Sequence, residues 1–161
     1  MPISPLLNSY NILCQVQCQS RKRALQLAAE AIAESDSSRD GLLWEDVFAG
    51  LLKRERLGST GLGFGVAIPH CRMPCQSIQA TFVSLVAPVD YEAPDEAGVD
   101  LLFVLVVPNS ETHAHLDLLK ELATVFNSAE HRSELRKCDS ADAIMRYFER
   151  IDSALLDAKR A

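Results

Sequence analysis

Nine consecutive residues, Val99 to Val107 (VDLLFVLVV), are apolar at every position but one. A strand with one wet face alternates apolar and polar residues. A run this uniform has to be covered on both faces. It is strand-sized, far short of a membrane span, and no other apolar run in the chain is longer. Pro108 stops it. A chain built round such a strand needs a sheet with helices on both sides.

The remaining pattern supplies those layers. Residues 12–18 alternate, with Cys14, Val16 and Cys18 set against Gln15 and Gln17, which predicts a short strand carrying those first three on one face. Ser20 offers an N-cap oxygen to a helix running to about Glu34, with Leu25, Ala28, Ala31 and Ile32 on its apolar side. The stretch 35–41 (SDSSRDG) predicts a loop. A second helix runs from about Leu42 to Arg56, where Leu43, Val47, Leu51 and Trp44, Phe48, Leu52 recur every four residues, and Gly58 stands at its C′ position. Ala80 to Ala87 predicts a strand ended by Pro88. Pro88 to Gly98 predicts an irregular acidic connection. A third helix is expected from about Thr112 to Asn127, with Leu116, Leu119, Leu122, Ala123 and Phe126 inward. A short helix near Glu130–Lys137 and a last one from about Ser140 complete the chain. Strands and helices interleave, so the fold class is α/β. The connection between the strands near residues 80 and 99 holds no helix, so the sheet should be mixed. With no internal repeat, low-complexity segment or linker, residues 1–161 are expected to form a single domain.

Charge and composition exclude several functions. A net charge of −6, from 22 acidic and 16 basic residues, disfavours a nucleic-acid binder. Arg21-Lys22-Arg23, the one basic cluster, opens a helical pattern and reads as a solvated face. The start, MPISPLLNSY, has no signal-peptide pattern, so a cytoplasmic protein without membrane insertion is expected. Five cysteines, an odd number, argue against a disulfide framework. Cys14 and Cys18 are four apart, as are Cys71 and Cys75, and two such pairs could in principle hold a tetrahedral zinc. All four fall in strand or loop pattern, where burial as small apolar residues is the ordinary fate. No metal or cofactor is assigned.

Gly58 to Cys71 (GSTGLGFGVAIPHC) is the unusual stretch. Gly58, Gly61, Gly63 and Gly65 let backbone approach a ligand closely. With the hydroxyls of Ser59 and Thr60 and the backbone at Gly61, they suit a phosphoryl group. The stretch is no nucleotide loop: the GxGxxG spacing is missing, it runs toward a strand at Val66–Ile68 and not into a helix, and GxxxxGK[ST] occurs nowhere. Pro69 fixes its own φ and holds Ile68 extended, which mounts His70 stiffly at a strand end. A neutral imidazole is a competent nucleophile near pH 7. Phe64 is a large apolar residue within this loop, either a core anchor or, the reading favoured slightly, an exposed contact for a partner.

Glu55 to Cys71 (ERLGSTGLGFGVAIPHC) resembles the active-site signature of the second class of enzyme IIA domains, the fructose–mannitol type, of the phosphoenolpyruvate-dependent phosphotransferase system. LLKRERLGSTG at 51–61, PVDYEAP at 88–94 and VDLLFVLVVP at 99–108 resemble the nitrogen-regulatory branch. The similarity covers about residues 3–150, departing at the cysteine-rich start and at MPCQSIQ after Arg72. The resemblance implies a five-stranded mixed sheet with helices on both faces. It implies that His70 is phosphorylated by a small HPr-like carrier, that His115 lies beside it, and that Arg54 helps to hold the phosphoryl group. Members of the regulatory branch control other proteins according to phosphorylation state. Their targets stay unnamed here, with potassium-transport and sensor-kinase components among the classes the resemblance admits. Sugar-specific members instead pass the phosphoryl to a IIB domain, which is the alternative.

The other histidines read differently from one another. His131 sits in a charged stretch and should be exposed. His113 and His115 open the third helix, whose positive end favours a nearby anion. His115 is spaced with Leu118, Leu119 and Leu122 along the buried face. By residue pattern alone it is a helix-start histidine bonded to backbone; the resemblance makes it a site residue.

Overall fold

The computed structural model describes residues 2–35, 41–110 and 113–160. In chain order these hold a turn of 3₁₀ helix (Ser4–Leu6), β1 (Ile12–Val16), α1 (Arg21–Glu34), α2 (Trp44–Arg56), β2 (Gly61–Gly63), β3 (Val66–Ala67), β4 (His70–Met73), β5 (Gln79–Val89), β6 (Val99–Pro108), α3 (His113–Phe126), α4 (Ala129–Lys137) and α5 (Ala141–Arg160). Most of the loop expected at 35–41, and Thr112 at the start of the third helix, lie outside the described residues.

The apolar run does become the middle strand. β6 pairs antiparallel with β5 on one side and parallel with β3 and β4 on the other. The order is β1-β5-β6-β3-β2, with β4 also on β6. The sheet is mixed as expected, and its six strands fill five positions. β3 and β4 share one of them: Val66 faces Leu101, and four residues on His70 faces Leu105. Between them Pro69 has no N–H to give the ladder, while its carbonyl still accepts from Leu105 N at 2.9 Å.

Side chains of β6 alternate between two cores. Leu101, Phe103, Leu105 and Val107 pack with α3, α4 and α5; Leu102, Val104 and Val106 pack with α1 and α2. Phe82, Phe103, Phe126 and Phe148 form the aromatic centre of the first core, with Phe82 and Phe148 edge-on at 5.2 Å between centroids.

Three sequence expectations need correcting. Cys14, Val16 and Cys18 do not share a face. Gln15 has φ 50° and the β1–β5 register slips between Leu13 and Val16, so Cys14 faces the first core while Leu13, Val16 and Cys18 face the second. Pro88 does not end β5, which runs on to Val89; it falls where the ladder to β6 lapses, between Ser84 and Val89, so no bond is lost. On α3 the buried residues are His115, Leu118, Leu122, Val125 and Phe126, while Leu116 is half exposed. A leucine-rich helix offers two overlapping stripes at spacings of three and four, and periodicity alone does not choose between them.

Candidate functional site

His70 is the first residue of β4, so it begins one strand and does not end another. Pro69 ties it to Ile68, whose carbonyl lies 2.8 Å from His70 Nδ1. A carbonyl only accepts, so Nδ1 carries the ring proton and Nε2 carries the lone pair. Burial holds the ring's pKa below its ordinary 6.5, and the charges of Arg54 and His115 push the same way; the bond to Ile68 and the carboxylate of Glu55 pull against them. His70 is therefore neutral at pH 7, with Nε2 the nucleophilic atom.

Three elements bring nitrogen-bearing side chains to it. Arg54 lies in the last turn of α2, where its Nη1 donates to Gly58 O at 2.8 Å. His115 lies in the first turn of α3 and is only 6% exposed. Arg72 follows His70 by two residues along β4, and its Nη2 sits 3.1 Å from His115 Nε2. His70, Arg54, Arg72, His115 and Lys53 line one cleft of about 420 Å³, completed by Gly50, Leu57, Cys71 and Val107. None of its lining residues is acidic, in a chain of net charge −6. The structure thus unites His70, Arg54 and His115 from three distant parts of the sequence. Sequence reasoning missed Arg72 and Lys53; their only signal was position, two residues beyond His70 and one before Arg54.

Ser59, Thr60 and Gly61 wall a smaller adjoining pocket of about 260 Å³, shared with Arg54 and His70. Their donors turn inward. Thr60 Oγ1 donates to Glu55 Oε1, and Thr60 N donates to Glu55 Oε2 at 3.2 Å. Gly61 N donates to Ser59 Oγ at 3.1 Å, and Ser59 Oγ reaches Tyr91 O at 3.5 Å. Glu55, its side chain 2% exposed, is also met by Tyr91 OH at 2.7 Å and by Arg21 Nη1 at 3.8 Å. This buried knot joins the end of α2, the glycine loop, α1 and the connection after β5.

Phe64 is not a core anchor. It sits at the tip of the β2–β3 hairpin, 63% exposed, with its ring 4.4 Å over the Arg132 guanidinium. Asp95 Oδ2 accepts from its N–H at 3.0 Å, and Arg136 Nη2 donates to its carbonyl at 2.6 Å. Val66 and His70 stand four residues apart along β6, so Phe64 lies more than about 13 Å from His70. His113 is exposed at the start of α3. His131, expected exposed, is part-buried, with Nδ1 2.7 Å from Tyr147 OH, and belongs to no part of the cleft.

The cysteine pairs do not converge on one ion: Cys14 faces one core, while Cys18, Cys71 and Cys75 face the other. Burial pushes the Cys71 thiol up to about 12 and raises those of Cys14 and Cys138. Among the described residues no helix is long and apolar enough to cross a membrane.

Residues 5–151 match the model of the family described as "Phosphoenolpyruvate-dependent sugar phosphotransferase system, EIIA 2". The nitrogen regulatory protein of Pseudomonas aeruginosa is 41% identical over 143 residues, covering 88% of this chain and 91% of that protein. The crystal structure of the nitrogen regulatory protein IIA-Ntr from Neisseria meningitidis superposes with a TM-score of 0.83 at 35% identity, covering 90% of this chain and 97% of that one. The mannitol IIA of Escherichia coli shares the fold, with a TM-score of 0.73 at 19% identity, over 88% of this chain and 98% of that one. Family match, relatives and fold agree: the chain belongs to the EIIA 2 family of the phosphoenolpyruvate-dependent sugar phosphotransferase system, among its nitrogen regulatory proteins.

Proposed function

We propose that this protein accepts a phosphoryl group on Nε2 of His70 from an HPr-like carrier in the cytoplasm, and that its phosphorylation state controls which partner proteins it binds. The observation that carries the reading is the Ile68–His70 hydrogen bond, which leaves the Nε2 lone pair at a cleft lined by Lys53, Arg54, Arg72 and His115. In the transfer the carrier's P–N bond breaks as the bond from phosphorus to His70 Nε2 forms. The proton stays on His70 Nδ1, donated to the Ile68 carbonyl, and the carrier's ring leaves as a neutral imidazole if its own second nitrogen is protonated. Phosphoryl transfer asks the protein for in-line positioning and charge around the equatorial oxygens, more than for covalent chemistry. Arg54 and His115 supply donors to those oxygens. Of the Ser59–Gly61 wall, Ser59 Oγ is the group most readily released to a phosphoryl oxygen, because its 3.5 Å contact with Tyr91 O is the weakest there.

The test is incubation with phosphoenolpyruvate, enzyme I and an HPr-like carrier, followed by mass mapping of the modified residue. Label on His70, acid-labile and base-stable, is expected. Stoichiometric uptake by His70→Ala would overturn the assignment. Rapid onward transfer to purified IIB domains would favour the sugar-transport role over the regulatory one.

A further inference from the structure

Gly50, Lys53, Arg54 and Leu57 are spaced three and four apart along α2, so they form one stripe, and all four line the cleft of His70. The stripe lies close on β4 at its first member. A Cβ on Gly50 would meet Cys71 Sγ at 3.1 Å, so the missing side chain lets α2 approach the residue next to His70. One turn later Lys53 and Arg54 reach the cleft together, and they differ. Arg54 is tied to Gly58 O, and its charge is among those felt by the His70 ring. Lys53 is exposed, and among the described residues no ion pair holds it. Its own helix offers none, because the residues three and four away are Ala49, Gly50, Arg56 and Leu57. The cleft offers none either, since no acidic residue lines it.

We infer that Lys53 is the capture residue of the cleft: its ammonium draws the dianionic phosphoryl group of the incoming carrier toward His70, ahead of the transfer step. The inference rests on the function proposed above and supplies its recognition step. A cleft lined by one sign of charge focuses its field and speeds encounter with an oppositely charged group, an effect that salt removes. A compact charge on a flexible four-carbon stem suits that task, which asks for reach and sign and not for fixed planar donors. The competing role is at the helix end. Lys53, Arg54 and Arg56 all stand in the last turn of α2, where cations complement the helix dipole. That role would show in stability and not in the salt dependence of a rate.

Lys53→Ala places a strong helix former at an exposed position, so the variant should fold. The deciding measurement is the second-order rate constant for phosphorylation by the phosphorylated carrier, taken at about 10 mM and about 1 M salt, where the Debye length is about 30 Å and about 3 Å. Lys53→Ala should lower it by about threefold to tenfold at low salt and by less than about twofold at high salt. Lys53→Glu should lower it further at low salt, and Lys53→Arg should keep it. The single-turnover rate at saturating carrier should fall less than the second-order constant, with label still on His70. An unchanged constant at low salt overturns the inference. An equal loss at both salts also overturns it, and a lowered melting temperature beside that loss returns Lys53 to the helix end. A second readout needs no carrier. Inorganic phosphate is titrated at low salt while the ring resonances of His70 are followed by NMR, and Lys53→Ala should weaken its binding by about threefold or more. If the unaltered protein takes up no phosphoryl from the carrier, the proposed function falls and this titration alone decides on Lys53. Equal affinities in the two proteins, or no binding to the unaltered one, would then overturn the capture role.

Discussion

The carbonyl of Ile68 and Nδ1 of His70 lie 2.8 Å apart with only Pro69 between them in the chain, so the backbone of one interrupted strand orients its own histidine ring. Pro69 is what makes this possible. It opens the ladder between β3 and β4, and it keeps Ile68 extended so that its carbonyl can turn to the ring.

A pH dependence follows from that arrangement. His70 has a folded-state pKa below 6.5, set by burial first and then by Arg54 and His115. As pH falls below 6.5 the unfolded chain takes up a proton that the folded chain declines, so stability present above that pH is lost on the way down. Urea midpoints measured from pH 7.5 to 5 should fall more steeply for the unaltered protein than for His70→Gln. Parallel slopes would show that His70 titrates alike in both states.

The Glu55 knot should be worth more than any ion pair on the surface. Its carboxylate is buried and accepts from Thr60 Oγ1, Thr60 N and Tyr91 OH. Removing it strands those donors. Glu55→Ala should lower stability by about 2–4 kcal/mol, and Tyr91→Phe by about 1–2 kcal/mol, read from chemical denaturation. A loss under half a kcal/mol for Glu55→Ala would mean that the loop is held by other contacts.

The β2–β3 hairpin separates two kinds of cost at adjacent residues. Phe64 has φ 57°, an awkward value for a bulky side chain, and its ring covers Arg132. Phe64→Asn eases a left-handed backbone whose cost is about 1–2 kcal/mol for most residues and less for asparagine, and loses a cation–π contact of about 0.5–1 kcal/mol, so the two nearly offset and the melting temperature should barely move. Gly65 has φ 84°, and a Cβ there would meet Arg136 Nη2 and Asp100 Oδ1, the pair that pins the hairpin to α4. Gly65→Ala should cost about 1–3 kcal/mol. Equal effects at the two positions would contradict this division.

Much of the fold was legible because the strongest signals were long ones. The apolar run of β6 dictated two covering layers, and α1 and α2 fell close to the positions their periodicity predicted. β4 was not legible: four residues straight after a proline, one of them a charged arginine, carry no period-two signal, and only pairing with β6 makes them a strand. The bulge at Gln15 was hidden for a related reason, since a single residue of positive φ inverts the faces without altering the alternating sequence. In the site, His70 could be read from its own neighbours. The inward turn of Thr60 could not, because it depends on Tyr91, thirty-one residues away, meeting a carboxylate at the end of α2.

Arg54 and His115 should govern the rate of phosphorylation and not its destination. Both border the cleft with His70, and neither holds the nucleophilic geometry that the Ile68 carbonyl gives to His70. Arg54 is tied to Gly58 O by a single N–H, and its planar fork can bind phosphoryl oxygens with others. His115 borders the same cleft, where its Nε2 meets Arg72 Nη2 at 3.1 Å, and an imidazole can donate from one ring nitrogen while the other is held by a neighbour. Donors aimed at the charge of a transferring group typically contribute a few kcal/mol at the transition state, roughly a hundredfold in rate, without being needed for the bond itself. Arg54→Ala and His115→Ala should therefore fold, accept phosphoryl slowly and carry the label on His70, as followed by rapid-quench transfer from the phosphorylated carrier and mass mapping. Unaltered rates in both variants would remove the two residues from the mechanism. Label on His115 in the unaltered protein would exchange the roles of the two histidines.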